Sequence, residues 1–295
     1  MFLVTGATGG LGRRIVRRLC ERDMPVRGFV RLTSRYSELE NRGAELFIGN
    51  LLEKRDIEKA CQGVRYVISA HGSNESNQGN AQTLDYRANI DLIDYAKAAG
   101  VEHFVFISVL GADRGYEDAP TFKAKRAVEK YLKSSGLHYT ILRPSGFASN
   151  LLSLAERFQQ TGIYLMIGDP KIRTSILSTD DLAKIAVDAP TVEGATDQIF
   201  AVGGPEILER RDIPQIFGRI FNREPFVINV PLSVVDGART VIGFFDAETQ
   251  TALGTFRTLL SNEFYCTKDE IEKLETTFDM KMETLEHFIR RYKSA

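Results

Sequence analysis

The sequence of 295 residues has no tryptophan, only three cysteines and no long apolar run. Cys20, Cys61 and Cys266 are far apart and form no CxxC pair, so they predict neither a disulfide framework nor a zinc site, and no metal is expected. A reducing compartment such as the cytoplasm fits this cysteine usage best. Because no apolar run reaches the roughly 18 residues that cross a bilayer, the sequence predicts a soluble protein without a transmembrane segment.

An excess of charge of either sign is also missing, since 38 basic side chains balance 39 acidic ones. A strongly basic surface is the usual sign of nucleic-acid binding, so no nucleic-acid partner is predicted. The first residues, "MFLVTGATGG", read directly as an apolar strand and a glycine turn. We therefore expect no signal or transit peptide ahead of the fold.

Short apolar runs alternate with amphipathic stretches over the first half of the chain. The runs predict strands at 2–4, 26–30, 45–48, 66–69, 104–107 and 139–142. Between them, stretches such as "GRRIVRRLCERD" repeat apolar residues at helical spacing. Strands that alternate with helices form a parallel sheet covered on both faces. The predicted fold class is α/β, a doubly wound parallel Rossmann sheet, and the looser pattern beyond Arg143 predicts a smaller C-terminal lobe.

The segment "TGATGGLG" follows the first strand and has glycines at GxxGxxG spacing. The first glycine permits a tight turn, the middle pair lets backbone N–H groups approach a pyrophosphate, and the last lets the helix pack on the strand. A bare glycine triplet also occurs in ordinary turns, but this one lies between a strand and an amphipathic helix. It predicts a dinucleotide site with contacts from Gly6, Thr8, Gly9, Gly10, Leu11 and Gly12.

The end of the second strand indicates which dinucleotide binds. An NAD site usually has an acidic residue there, which binds the ribose hydroxyls. This chain reads "VRGFVRLTSRY", with Arg31 and Arg35 and no acid before Glu38. A guanidinium can bind the 2′-phosphate of NADP bidentately, so the sequence favours NADP(H). Arg13 could contribute, although an ordinary surface role is an equal alternative for Arg13 and Arg35.

These patterns divide the chain into two parts. Residues 1–150 are predicted to form the NADP(H)-binding Rossmann domain, and 174–204 to return to its sheet, because "QIFAVGG" reads as one more strand. Residues 151–173 and 205–295 are then predicted to form a lobe that holds a substrate or a partner.

Six segments carry a resemblance to a known superfamily: "TGATGGLG", "GNLLEKRDI", "VISAHG", "AAGVEHFVFIS", "KAKRAVEKYLKSSGLHYTILRP" and "LSTDDLA". Together they extend from the first residue to about residue 190. The chain resembles the atypical short-chain dehydrogenases/reductases, especially NmrA-like members and quinone or isoflavone reductase-like proteins. The resemblance implies an NAD(P)H-binding protein.

The resemblance also implies where further residues contact the cofactor. Asn50 and Leu51 are expected beside the adenine, where the asparagine carbonyl oxygen can accept from the amino group. The turn after the fourth strand is expected along the ribose and phosphates. The end of the fifth strand, with Ser108, is expected on one side of the nicotinamide, and the segment from Pro144 to Phe147 on the other. A histidine in such a turn is more often a hydrogen-bonding surface residue than a catalyst. The residues concerned are Ala70, His71, Gly72, Ser108, Pro144 and Phe147.

In "TFKAKRAVEKY", Thr121, Lys125 and Glu129 share one helix face. Classical members of the superfamily have a tyrosine four residues before the lysine, which exchanges a proton with the substrate carbonyl. Thr121 cannot replace it, because an aliphatic hydroxyl has a far higher pKa than a phenol. Lys125 is therefore predicted to hold the nicotinamide ribose. The alternatives are that Lys125 is an ordinary solvated lysine of the helix, that it acts directly as a general acid, or that Tyr116 from the preceding loop replaces the missing tyrosine.

Without the tyrosine, the favoured reaction is hydride transfer to a small planar acceptor such as a quinone or an enone, which can take its proton from water. The alternative is a non-catalytic redox sensor or an assembly factor that docks on a protein partner, as do photosystem assembly factors of this superfamily; the plastid stroma is then a possible location. The stretch "RTVIGFFDAETQTALGTF", with Phe244, Phe245 and Phe256, could line a pocket, form a docking face or belong to the core. No motif specifies an oligomeric state.

Overall fold

The computed structural model describes residues 1–73, 79–116, 118–234, 236–237 and 247–293, with only the backbone described over 247–253. Seven strands form the main sheet in the order β3-β2-β1-β4-β5-β6-β9, and every neighbouring pair is parallel. The strands are β1 Phe2–Thr5, β2 Val26–Val30, β3 Glu45–Ile48, β4 Tyr66–Ser69, β5 His103–Ile107, β6 His138–Pro144 and β9 Gln198–Val202. The predicted doubly wound parallel sheet is confirmed.

The described helices connect these strands and continue into the C-terminal part. They are α1 Gly10–Glu21, α2 Ser37–Asn41, α3 Lys54–Cys61, α4 Ala88–Ala98, α5 Pro120–Ser134, α6 Leu152–Thr161, α7 Thr179–Asp188, α8 Asp212–Phe221, α9 Ala247–Ser261, α10 Lys268–Thr277 and α11 Leu285–Lys293. A π-helical turn, Ala81–Arg87, runs directly into α4, and short 3₁₀ turns occupy Ala148–Leu151 and Glu193–Ala195.

Alternating strand residues bury opposite faces of the sheet, as the period of a strand requires. Val4 packs with Ile15 of α1 on one face, whereas Leu3 packs with Ile57 of α3 and Val128 of α5 on the other. All five of these side chains are fully buried. The apolar stripe predicted in α1 is therefore the surface that anchors this helix, and hence the glycine loop before it, on the sheet.

The strand β9 is the last to join the main sheet. Gln198 to Val202 pair in parallel with Thr140 to Pro144 of β6, so β9 forms one edge and β3 the other. The remaining strands form two small sheets: β8 Arg173–Thr174 pairs antiparallel with β10 Leu208–Glu209, and β7 Ile163–Ile167 pairs in parallel with β11 Phe226–Val230. A separate apolar cluster, which includes Phe158, Phe217 and Phe288, packs beneath β7 and β11.

The chain order of the strands reverses between β1 and β4, because β2 and β3 lie on one side of β1 and β4 on the other. In open parallel sheets, ligands bind outside the carboxyl ends of the strands at such a reversal. Within the described residues, no helix combines the length and apolarity needed to cross a membrane. The same residues contain no cluster of three or more His, Cys, Asp or Glu side chains arranged to hold a metal ion.

Candidate functional site

A cavity of about 930 Å³ lies at this reversal and extends across the carboxyl ends of the strands from β3 to β5 and the segment after β6. Most of the residues predicted from the sequence to contact a cofactor line it. These are Gly6, Thr8, Gly9, Gly10, Leu11, Gly12, Arg31, Asn50, Leu51, Ala70, His71, Gly72, Ser108, Lys125 and Phe147.

Two predicted residues, Arg35 and Pro144, are not among the lining residues that the structure describes. Arg35 is exposed, and its carbonyl oxygen accepts a hydrogen bond from Arg13 Nη2 at 2.5 Å. Pro144 is the last residue of β6, where it is buried and its carbonyl oxygen accepts from the Leu110 N–H at 2.8 Å.

The glycine loop fits its predicted role as an anion cradle. Gly6 has φ +68°, and a Cβ there would lie 2.6 Å from the Ala70 carbonyl oxygen. A Cβ on Gly12 would lie only 2.1 Å from the Gly6 carbonyl oxygen, so the helix can approach the loop this closely only with glycine. The first turn of α1 has neither an acidic residue nor a side-chain cap. Gly9, Gly10 and Leu11 line the cavity at this helix start, so the positive end of α1 can bind a pyrophosphate there.

The loop after β2 borders the cavity with Arg31, Leu32 and Thr33. Arg31 is half-buried at the strand end, where the 2′-phosphate of NADP was expected. Arg13 is not among the described lining residues, and its guanidinium donates to the Thr8 carbonyl oxygen at 2.9 Å and to Glu38 at 3.0 Å. Arg13 thus ties the glycine loop to the segment that follows Arg31.

The outer end of the cavity, beside β3, is expected to hold the adenine. Asn50 is exposed there, and its side-chain oxygen accepts from the Leu52 N–H at 3.0 Å. The contact of this oxygen with the adenine amino group stays a prediction, and in the structure the oxygen takes part in a local turn. Asp56 of α3 also lines the cavity, and its carboxylate accepts from the Asn50 N–H at 2.9 Å.

His71 forms part of the cavity floor and is 6% exposed, so the alternative of a surface histidine is wrong. Its Nδ1 hydrogen-bonds to the Thr5 hydroxyl at 2.8 Å and lies 3.3 Å from the Ser69 hydroxyl. Burial, together with the charge of Lys125, lowers the pKa of His71 to about 3. The imidazole is therefore neutral at physiological pH.

Lys125 lies at the inner end of the cavity, in the middle of α5, and is 8% exposed. Its Nζ donates to the Ile107 carbonyl oxygen at 2.8 Å and lies 5.0 Å from the centre of the Phe106 ring. Burial lowers its pKa, and the charges of Asp85 and Glu129 oppose that change. An ammonium group has three donors, so further N–H groups can bind the hydroxyls of a ribose.

Glu129 lies one turn after Lys125 and is 4% exposed. It accepts from Arg143 through both carboxylate oxygens, at 3.0 and 2.6 Å, and from the Ser108 hydroxyl at 2.5 Å. Arg143 also pairs with Asp113 at 2.5 Å. Because the Ser108 proton is directed at Glu129, the Ser108 oxygen can serve as an acceptor toward the cavity.

Neither Thr121 nor Tyr116 is among the lining residues that the structure describes. Thr121 is half-buried on α5. The Tyr116 ring packs edge-on against Phe122, with centroids 5.3 Å apart, and against Phe264 at 5.8 Å. In this arrangement, Tyr116 belongs to an aromatic cluster rather than to the cavity. Phe244 and Phe245 lie outside the described residues, whereas Phe256 is 43% exposed.

Several lining residues were not predicted from the sequence. The first group lies at the carboxyl ends of strands or in the segments after them, and comprises Leu32, Thr33, Ile48, Gly49, Ser73 and Ile107. Because ligands bind at the carboxyl ends of strands in such sheets, this rule could have identified these residues. The second group comes from within β2, from helices or from the 3₁₀ turn after β6, and no local motif marks it: Phe29, Asp56, Leu84, Ser149 and Asn150.

The family comparison agrees with this geometry. A family model described as NAD(P)H-binding matches residues 6–191, the stretch that contains every predicted contact residue. The photosystem II assembly factor Ycf39 of Cyanophora paradoxa is 28% identical over 99% of this chain and 91% of its own length. The NAD(P)H azoreductase of Xenophilus azovorans is 29% identical over 82% of both chains.

A solved structure shares the fold over almost the whole chain. The NADPH-dependent quinone oxidoreductase of Escherichia coli, complexed with NADPH, superposes with a TM-score of 0.79 and 20% identity. The match covers 99% of this chain and 100% of that one. It shows that the C-terminal part, and not only the main sheet, follows an architecture found in another protein.

Proposed function

Because this chain belongs to the NAD(P)H-binding family of atypical short-chain dehydrogenases/reductases, we propose that it binds NADPH in the cavity and delivers hydride to a small planar acceptor such as a quinone or an enone. One observation carries the choice of acceptor: Lys125 lines the inner end of the cavity, whereas position 121 carries a threonine outside the lining. Reduction of a ketone to an alcohol needs a proton delivered with the hydride, but a quinone or an enone can collect its proton from water.

Each part of the cavity would hold one part of the cofactor. The glycine loop and the start of α1 would bind the pyrophosphate, and Arg31 the 2′-phosphate. Lys125 would hold the nicotinamide ribose, while Ser108 and Phe147 would lie on either side of the ring. The reduced nicotinamide supplies the hydride when the dinucleotide is bound. The three cysteines are free, which fits the proposed location in the cytoplasm or, alternatively, the plastid stroma.

Turnover is the first test of this proposal. We expect the wild type to oxidise NADPH with at least one member of a panel of quinones and enones. Lys125→Ala should raise the KM for NADPH by roughly tenfold with a smaller change in kcat, because the lysine binds ribose and donates no proton. Lys130→Ala, an exposed lysine on the same helix, is the control and should behave as the wild type. Tight NADPH binding without turnover on any acceptor would remove the enzymatic proposal.

The preference for NADPH is tested separately through Arg31. Arg31→Asp should weaken NADPH binding by roughly 10- to 100-fold, because a bidentate charged contact to the phosphate is replaced by repulsion. Binding of NADH, which lacks that phosphate, should change less. Arg42→Asp provides the control, since Arg42 is exposed, pairs with Glu38 at 3.3 Å and lies outside the described lining. Equal NADPH affinity of wild type and Arg31→Asp, measured by calorimetry, would contradict the assignment.

A second candidate function is that of a non-catalytic NADP(H)-binding assembly factor or redox sensor that docks on a protein partner. The specific observation in its favour is the outer face of the small sheet of β7 and β11. Ile163 pairs with Phe226 and Leu165 with Ile228, and all four apolar side chains are exposed, Phe226 by 66%. Exposed apolar patches often mark interaction surfaces, and the similar Ycf39 protein is named an assembly factor. NADPH binding without turnover would favour this candidate.

A further inference from the structure

The segment that follows β6 forms one wall of the cavity. Phe147, Ser149 and Asn150 line the cavity, whereas Ala148 between them is fully buried. The 3₁₀ turn Ala148–Leu151 keeps these lining residues close together, because the Asn150 N–H donates to the Phe147 carbonyl oxygen at 3.1 Å. Two side chains with hydrogen-bonding groups therefore lie within one turn of Phe147, the residue that would lie against the nicotinamide ring.

The loop that leads into α7 holds this turn in place. The Ala148 N–H donates to the Leu177 carbonyl oxygen at 2.9 Å, and the Ser149 N–H donates to the Thr179 hydroxyl oxygen at 3.3 Å. Thr179 is the first residue of α7 and is 1% exposed. Groups that the surrounding structure fixes in advance bind a ligand at a lower entropic cost. The backbone of Ser149 and Asn150 is thus fixed along the cavity wall before any ligand binds.

Hydrogen-bond donors remain available on both side chains. The Thr179 hydroxyl donates to Ser149 Oγ at 2.9 Å, so Ser149 is the acceptor in this bond and keeps its own proton for another partner. The Asn150 side chain is exposed and makes no hydrogen bond within the part of the chain that the structure describes. A primary amide carries two N–H donors. Ser149 can therefore donate one hydrogen bond, and Asn150 up to two, to a ligand in the cavity.

A carbonyl oxygen is the ligand group that adjacent N–H and O–H donors fit. In hydride transfer to an enone, a C–H bond forms at the β-carbon and the π electrons of the C=C bond shift toward the carbonyl, while NADPH is oxidised to NADP⁺. The carbonyl oxygen becomes the negatively charged oxygen of an enolate, which then takes its proton from water. Donors directed at that oxygen stabilise the charge as it develops.

We propose that Ser149 and Asn150 form the carbonyl-binding site for the acceptor, in which the Ser149 hydroxyl and the Asn150 amide donate to the oxygen that gains negative charge. This inference rests on the proposed function and narrows it, because the acceptor must carry a carbonyl conjugated with the carbon that takes the hydride. Thr121, at the position of the classical tyrosine, is not among the described lining residues. The two donors replace the tyrosine in binding the oxygen, and water supplies the proton.

The direct test is the binding of duroquinone (tetramethyl-1,4-benzoquinone) to the full-length protein saturated with NADP⁺, which has no hydride to transfer. Duroquinone has no free ring position to which a thiol could add. Ser149→Ala and Asn150→Ala should each weaken its binding by roughly tenfold, because each variant removes a hydrogen-bond donor, and should leave NADP⁺ affinity unchanged. Tetramethylbenzene, which lacks both oxygens, should bind weakly and equally to all three proteins. Calorimetric titrations and competition with duroquinone measure these affinities.

Ser153→Ala and Asn229→Ala are the matched controls, since both side chains are exposed and lie outside the described lining. Both controls should bind duroquinone as the wild type does. Ser149→Ala also removes the partner of the buried Thr179 hydroxyl, so its thermal midpoint should fall. Asn150→Ala breaks no described side-chain hydrogen bond and should unfold at the temperature of the wild type. A loss of duroquinone binding in Asn150→Ala therefore does not come from unfolding.

The outcomes separate this inference from the proposed function. If both variants weaken duroquinone binding but the wild type does not oxidise NADPH, the carbonyl-binding site is supported and the proposed hydride transfer fails. If the wild type reduces duroquinone and both variants keep its affinity and kcat/KM, only the carbonyl-binding site is overturned. Weaker NADP⁺ binding with unchanged duroquinone binding would assign both residues to the nicotinamide carboxamide instead. A wild type that binds NADP⁺ but not duroquinone would also overturn the inference.

Discussion

Replacement of Gly12 by alanine is expected to abolish measurable NADPH binding and to lower the thermal midpoint of the protein. The added Cβ would lie 2.1 Å from the Gly6 carbonyl oxygen and 2.8 Å from the Ala7 Cα, and both neighbours are backbone atoms that cannot rotate away. The start of α1 must therefore move away from the glycine loop. We expect affinity to fall by more than about 100-fold, because the backbone N–H groups lose their alignment toward the pyrophosphate.

Gly10→Ala is the matched control for stability. Gly10 is the first residue of α1, and a Cβ there would meet no atom within 4 Å. Without cofactor, Gly10→Ala should unfold at the same temperature as the wild type or slightly above it, because alanine favours the helix over glycine. Calorimetric unfolding of both variants measures the difference. A Gly12→Ala protein with the thermal midpoint and NADPH affinity of the wild type would contradict the close approach of α1 to its loop.

Replacement of Arg143 by methionine is expected to destabilise the protein by about 3–5 kcal/mol, the usual cost of leaving a buried charge without its partner. Glu129 is the group left behind, and among the described residues the Ser108 hydroxyl is the remaining donor to its carboxylate. The free energy of unfolding in urea measures this loss. Since Ser108 and Glu129 lie beside Lys125, NADPH binding should weaken as well.

Arg173→Met is the control for this second prediction. Arg173 also binds a carboxylate bidentately, that of Glu263 at 2.7 and 2.8 Å, but its side chain is 45% exposed. An exposed pair contributes about 1 kcal/mol or less, so this variant should remain close to the wild type. Equal losses for Arg143→Met and Arg173→Met would show that burial of Glu129 does not determine the cost.

The sequence allowed prediction of the features that depend on local rules. The apolar runs identified the first six strands of the main sheet because a strand covered on both faces must be apolar throughout. The run at 104–107 became β5 His103–Ile107. The added His103 is polar but buried, and its Nε2 bonds to the Thr140 hydroxyl at 2.8 Å, a contact between strands that no local pattern shows.

The residues of the candidate site also differ in whether local sequence rules can identify them. Gly6 and Gly12 could be identified from the glycine spacing, because close backbone contacts at both positions leave no room for a side chain. Lys125 and Glu129 could be placed on one face because helical spacing fixes it. The buried contact between Asp85 and Ser73 could not be found, because it joins a π-helical turn to a segment twelve residues earlier in the chain. Arg13 forms a salt bridge with Glu38, and strand and helix patterns do not reveal this contact either.

The position of β9 at the sheet edge has a consequence for synthesis on the ribosome. Until residues 198–202 emerge, the backbone of β6 has no neighbour on one side, although β1 to β6 can already associate. An unpaired, apolar strand edge readily pairs with other chains. A nascent chain is therefore most prone to aggregate between the emergence of β6 and that of β9, and a chaperone that covers the β6 edge during this interval would protect it.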